Sequence, residues 1–135
     1  MSKLLVDSSF YIALAFDLDS NHTKAKRLFG NLLKNKDPLL TTQDFVKETL
    51  TTISQRLGKK ASIEFYDFIT AGAEILPVIQ EQYELGLEIF LDLKLNKNIS
   101  LIDCIATTIY KEIRANAIIT FDTHFKKLGL KTLPH

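Results

Sequence analysis

Cysteine is nearly absent from these 135 residues: Cys104 stands alone. It cannot close an internal disulfide, and its place in a helical apolar pattern marks it as a small core residue, in agreement with a reducing compartment. Long hydrophobic runs are missing too. None approaches the ~20 apolar residues that cross a bilayer, so a membrane-spanning helix is excluded. The N-terminal MSKLLVDSSFYIALAF is apolar, but Asp7 interrupts it and no small-residue cleavage pattern follows, so the expectation is a cytoplasmic protein. An excess of either charge is also lacking. With 17 Lys and Arg against 16 Asp and Glu, the net charge is +1. The overall balance therefore lacks the basic footprint of a nucleic-acid binder, and any polyanion site has to be local. His22, His124 and His135 do not have zinc-ligand spacing. No internal repeat, low-complexity segment or linker divides the chain, and its length suits one domain over 1–135 with a real core.

What is present is an alternation of short apolar runs and helical patterns. KLLVD (3–7) reads as a buried strand, with a helix starting near Ser8 or Ser9. KAKRLFGNLLK carries Ala25, Leu28, Leu32 and Phe29 at helical spacing. DPLLTT (37–42) is a strand, after which Thr42 can cap a helix with Val46, Leu50, Ile53 and Leu57 on one stripe and Gly58 as its stop. ASIEFYDFITAG is a further helix and EILPV a strand. A long helix is predicted from about Gln80 to Leu95, and another over SLIDCIATTIY. AIITFD (117–122) is a strand like the first, and LKTLP a last short one. Strands alternating with helices of ten or more residues imply α/β architecture: a three-layer α/β/α sandwich around a mostly parallel sheet.

In open parallel sheets, ligands bind beyond the carboxyl ends of the strands. Four acids fall there. Asp7 and Asp122 close matching apolar runs, while Glu48 and Asp103 lie within about two turns of helix starts. Glu48 is turned roughly 200° per two residues away from the Val46 stripe, so it is not a core position. Each acid has an ordinary explanation. Asp7 and Asp122 suit caps or turns, Asp103 stands three residues after Ser100 at capping-box spacing, and Glu48 suits a solvated helix face. Convergence of all four on one rim is harder to obtain by chance. Carboxylates so confined raise one another's pKa values unless a cation neutralises them. An all-oxygen set suits Mg²⁺ or Mn²⁺ rather than zinc, and carboxylate-held Mg²⁺ typically serves phosphodiester hydrolysis.

The segments LLVDSSFYIALAF, TTQDFVKETLTTI, SLIDCIATTIY and AIITFDTHFKKLGL, in this order, resemble the PIN-domain ribonucleases, specifically the VapC-like toxins of toxin–antitoxin pairs. The likeness spans nearly the whole chain. It implies an α/β/α sandwich, dependence on Mg²⁺ with Mn²⁺ able to substitute, an RNA substrate, a homodimer and a small antitoxin protein covering the acidic site. It matches Asp7, Glu48, Asp103 and Asp122 to the family's four acids, as metal ligands and catalytic groups, and Thr120 to a small hydroxyl residue in a supporting role. It also implies products with a 5′-phosphate and a 3′-hydroxyl.

Thr120 and Asp122 are expected to share a strand face. Many relatives carry a further acid shortly after the fourth. Here the segment reads Asp122, Thr123, His124, Phe125, with His124 expected as a solvated turn residue and Phe125 in the core. Lys24, Lys26, Arg27, Arg56, Lys59, Lys60, Lys126 and Lys127 are the candidates for phosphate contact. Phe10, Tyr11, Phe65, Tyr66 and Phe68 are expected in the core rather than stacked on bases, with a dimer or antitoxin groove as the alternative for some of them. Three alternatives stay open: a PIN fold that binds RNA or scaffolds without catalysis, a DNA-directed nuclease with the same metal chemistry, and an aspartyl-phosphate phosphatase. The last needs a second Asp where Ser9 stands.

Overall fold

The computed structural model describes residues 2–134, which leaves His135 of the zinc argument outside the described residues. Among these residues five strands form one sheet: β1 (Leu4–Val6), β2 (Leu39–Thr42), β3 (Glu74–Leu76), β4 (Ala117–Ile119) and β5 (Thr132–Leu133). Their order is β3-β2-β1-β4-β5 and every pairing is parallel. Among the described residues seven helices surround the sheet: α1 (Ser8–Ala15), α2 (His22–Asn35), α3 (Gln43–Leu57), α4 (Lys59–Gly72), α5 (Gln80–Phe90), α6 (Leu101–Glu112) and α7 (His124–Lys127). None of the described helices is long and apolar enough to cross a membrane.

Period-two alternation along the central strands feeds two cores. Leu4, Val6, Ala117 and Ile119 point to one face and pack with Phe10, Tyr11, Ala25, Leu32 and Ile69 of α1, α2 and α4. Leu5 and Ile118 point to the other, against Phe45, Ala106, Phe125 and Leu130. A sheet covered on both faces explains why its strands read as continuous apolar runs. This is the three-layer α/β/α arrangement expected from the sequence.

Helix α3 starts where Thr42 accepts a hydrogen bond from the Phe45 N–H (3.1 Å). It stops at Gly58, whose φ of +96° favours glycine and lets α4 begin at the next residue. Val46 and Ile53 are buried as the stripe requires, but Leu57 is 53% exposed. Phe45 and Thr49 are buried in its stead, because α3 sits at the sheet's rim and meets both cores. Helix α5 is shorter than predicted and ends at Phe90. Beyond it the Asp92 and Asn96 side chains accept hydrogen bonds from the Lys94 and Asn98 N–H groups, local turns that compete with helix continuation. Strand β4 is also shorter, leaving the sheet after Ile119.

Candidate active site

The sheet's order reverses at β1 and β4: the chain builds outward through β2 and β3, then returns to the other side of β1. That switch point opens a crevice at the strands' carboxyl ends. Asp7 follows β1 and Asp122 follows β4, while α3 and α6 bring Glu48 and Asp103 to the same rim.

Asp7 is only 4% exposed. Its Oδ2 accepts hydrogen bonds from Thr120 Oγ1 at 2.6 Å and Ser9 Oγ at 2.7 Å. The lone pairs of the two hydroxyls are occupied in turn. Ser9 Oγ accepts from the Phe121 N–H (3.0 Å) and Thr120 Oγ1 from the Asp122 N–H (2.9 Å). Because each hydroxyl carries one proton, both protons are directed at Asp7. Contrary to the sequence expectation, Thr120 and Asp122 do not share a strand face, because β4 ends at Ile119. The Thr120 hydroxyl captures the backbone two residues on and bends the chain out of the sheet.

Asp103 answers to both of its sequence readings. The capping box with Ser100 is formed: the Asp103 N–H donates to Ser100 Oγ (3.0 Å) and the Ser100 N–H donates to Asp103 Oδ2 (3.2 Å). The same Oδ2 lies 3.2 Å from His124 Nδ1, which is also 3.1 Å from Asp122 Oδ1. His124 is thus a correction to the sequence reading. Its side chain is 24% exposed and wedged between two acids rather than solvated in a turn. The Asp122 carboxylate fixes it by accepting from the His124 N–H (2.9 Å). Phe125, the next residue, is fully buried.

The electrostatics register this crowding. Asp7's pKa is raised, foremost by burial and further by the charges of Asp103 and Asp122, against the lowering effect of Thr120 and Ser9. Glu48 is pushed up to about 7, by desolvation first and then by Asp7's charge. The Ser8 hydroxyl stands 3.3 Å from both Asp7 Oδ1 and Glu48 Oε1, and its single proton serves one at a time. Cys104 is a buried core residue, its thiol pKa raised by burial and then by Asp103.

All four predicted acids and Thr120 therefore come to one rim. Sequence reasoning missed Ser9 and His124. Ser9 was noticed only as a residue that is not aspartate, and its distance of two from Asp7 was the available signal. Donor atoms of Asp103, Asp122 and His124 lie within 4.8 Å of one another. Two carboxylates and an imidazole are a donor set that a divalent cation accepts, and mutual repulsion among the acids gives the site a use for one.

The chain matches the PIN domain family over residues 4–131. No curated protein sequence matches it. Among solved structures it is similar to VapC20 of Mycobacterium tuberculosis, described as a sarcin–ricin loop cleaving toxin. The TM-score is 0.81 at 22% identity, over 94% of this chain and 95% of that one. It is also similar to VapBC2 of Rickettsia felis, solved with a promoter DNA fragment (TM-score 0.71, 13% identity, 96% of each chain). A further likeness is to FitAcB of Neisseria gonorrhoeae (TM-score 0.70, 16% identity, 96% and 95%). With nearly its whole length matched and the fold of these toxins, the chain belongs to the PIN-domain family.

Proposed function

We propose that the protein, as a single domain over 1–135, is a divalent-metal-dependent endoribonuclease and the toxin of a toxin–antitoxin pair. The observation that carries this reading is the rim itself, where Asp7, Glu48, Asp103 and Asp122 arrive from four elements and repel one another around an Asp–Asp–His donor set. Asp7, Asp103 and Asp122 would hold Mg²⁺ or Mn²⁺, with Glu48 beside them. When bound, the ion supplies charge neutralisation and lowers the pKa of water.

The chain's own groups divide the remaining work. Thr120 and Ser9 hold the Asp7 carboxylate in one orientation through its Oδ2. Glu48, with a pKa of about 7, suits a general base that takes a proton from the attacking water. Hydrolysis in this sense breaks the bond between phosphorus and the 3′ oxygen, leaving a 5′-phosphate and a 3′-hydroxyl. That the similar structures include a toxin–antitoxin complex from Klebsiella pneumoniae supports a small antitoxin as partner. A homodimer working in the cytoplasm completes the proposal.

RNA cleavage by the purified protein tests this, in Mg²⁺ or Mn²⁺ against EDTA, with a DNA strand in parallel. Metal-dependent RNA cutting is expected, with loss of activity in Asp7→Asn and Asp103→Asn and a drop of at least about 100-fold in Glu48→Gln. Cutting that persists in all three variants would remove the assignment. Cutting of the DNA strand alone would replace the substrate.

A further inference from the structure

The sequence offers eight cationic candidates for phosphate contact without ranking them, and their placement does rank them. Two clefts meet at the turn of residues 121–123, which carries Asp122 and lines both. The larger, about 520 Å³, has Arg56 on its wall together with Ser9, Asn21 and Asp19. The smaller, about 180 Å³, is lined by Lys24 from α2 and Lys126 from α7. We infer that a single RNA strand crosses the Asp122 turn with one phosphate held by Arg56 and a phosphate on the other side held by Lys24 and Lys126. This rests on the nuclease reading above and adds the path of the substrate.

Three observations carry it. Among the described residues, no carboxylate lies within ion-pair distance of Arg56, Lys24 or Lys126, so these charges are not consumed inside the fold. The Arg56 guanidinium instead sits 5.2 Å from the centroid of the Phe16 ring. A cation–π contact of this kind orients the group while leaving its N–H donors for an anion. The acids between the clefts also make flanking cations necessary, because a phosphodiester approaching a cluster of carboxylates is repelled. Asp19, whose Oδ1 accepts from the Asn21 N–H at 2.8 Å, weakens the field of the Arg56 cleft. The paired-lysine cleft is therefore the stronger of the two. Such contacts position a strand and carry no base sequence information.

The test is binding of a mixed-sequence single-stranded RNA oligonucleotide, measured by fluorescence anisotropy across a salt series with Ca²⁺ present so that binding is read apart from cleavage. Each phosphate contact contributes about 0.7 to the slope of log affinity against log salt. Arg56→Gln is expected to lower the slope by about one such step, and Lys24→Gln/Lys126→Gln, which removes both cations from the other phosphate, by about one more when combined with it, on RNAs of unrelated sequence alike. Lys34→Gln/Lys111→Gln removes the same charge from the last turns of α2 and α6, at the opposite rim, and is expected to leave the slope unchanged. If the cleft and control variants behave alike, the path is wrong while the nuclease reading stands. If the wild-type protein binds no RNA, both are wrong.

Discussion

At the scale of single residues, the site is set by hydroxyls as much as by acids. The Asp7 carboxyl group is buried, which is tolerated because Ser9 and Thr120 donate hydrogen bonds to it. Glu48 has only a share of the Ser8 hydroxyl, and its raised pKa has a consequence for stability. Between its ordinary 4.5 and its folded value of about 7, the folded protein holds a proton at Glu48 that the unfolded chain has released. The stabilisation is full below 4.5 and is lost as the pH rises through about 7. Glu48→Gln is therefore expected to stabilise the metal-free protein at about pH 8 and to be neutral in acid, with solvent screening holding the gain below about 1 kcal/mol. Denaturant titrations in EDTA at both pH values measure it. A variant no more stable than wild type at the higher pH would contradict the assigned crowding. The four acids were legible in the sequence because strand ends and helix starts share a rim in this architecture. His124 was not, because its contact with Asp103 spans 21 residues and no local pattern encodes it.

At the scale of elements, α5 and α6 pack against each other at Gly86. A Cβ there would stand 2.5 Å from the Ile105 side chain and 2.8 Å from its backbone. Gly30 in α2 has nothing within 4 Å of the equivalent position. Gly30 and Gly86 thus give opposite predictions for one substitution. Gly30→Ala is expected to stabilise by about 0.5–1 kcal/mol through helix propensity. Gly86→Ala gains the same propensity but forces the helices apart, for a net loss of about 1–3 kcal/mol. Thermal melts of the two variants decide it, and equal shifts would mean that α5 does not approach α6 so closely. Helix limits follow similar local physics. The Thr42 cap and the Gly58 stop were readable, whereas the early end of α5 was masked because Leu91, Leu93 and Leu95 prolong an apolar pattern that Asp92 and Asn96 interrupt through their side chains.

At the scale of the whole molecule, the acids join elements that are otherwise independent. Asp7 and Asp122 follow neighbouring strands, and Asp103 and Glu48 come from helices on separate parts of the chain. A cation bound among them is expected to stabilise the entire fold. Mn²⁺ at about 100 times its dissociation constant adds about 2.7 kcal/mol. That is worth several degrees in melting temperature for a domain of this size. The shift is expected to vanish in EDTA and in Asp103→Asn. A wild-type protein whose melting temperature ignores Mn²⁺ would show that the donors do not form a cation site.

The sequence by itself determined the layered α/β architecture, the buried strands and the identity of four acids, because these depend on apolar periodicity, capping and chain order. Tertiary structure alone decided that Ser9 and Thr120 aim both hydroxyl protons at one Asp7 oxygen, that His124 stands between Asp103 and Asp122, and that Arg56, Lys24 and Lys126 flank the site. Hydrogen-bond partners and charge neighbours are set by distances across the fold. Residues 113 positions apart, such as Asp7 and Thr120, meet only once the parallel pairing of β1 and β4 is in place.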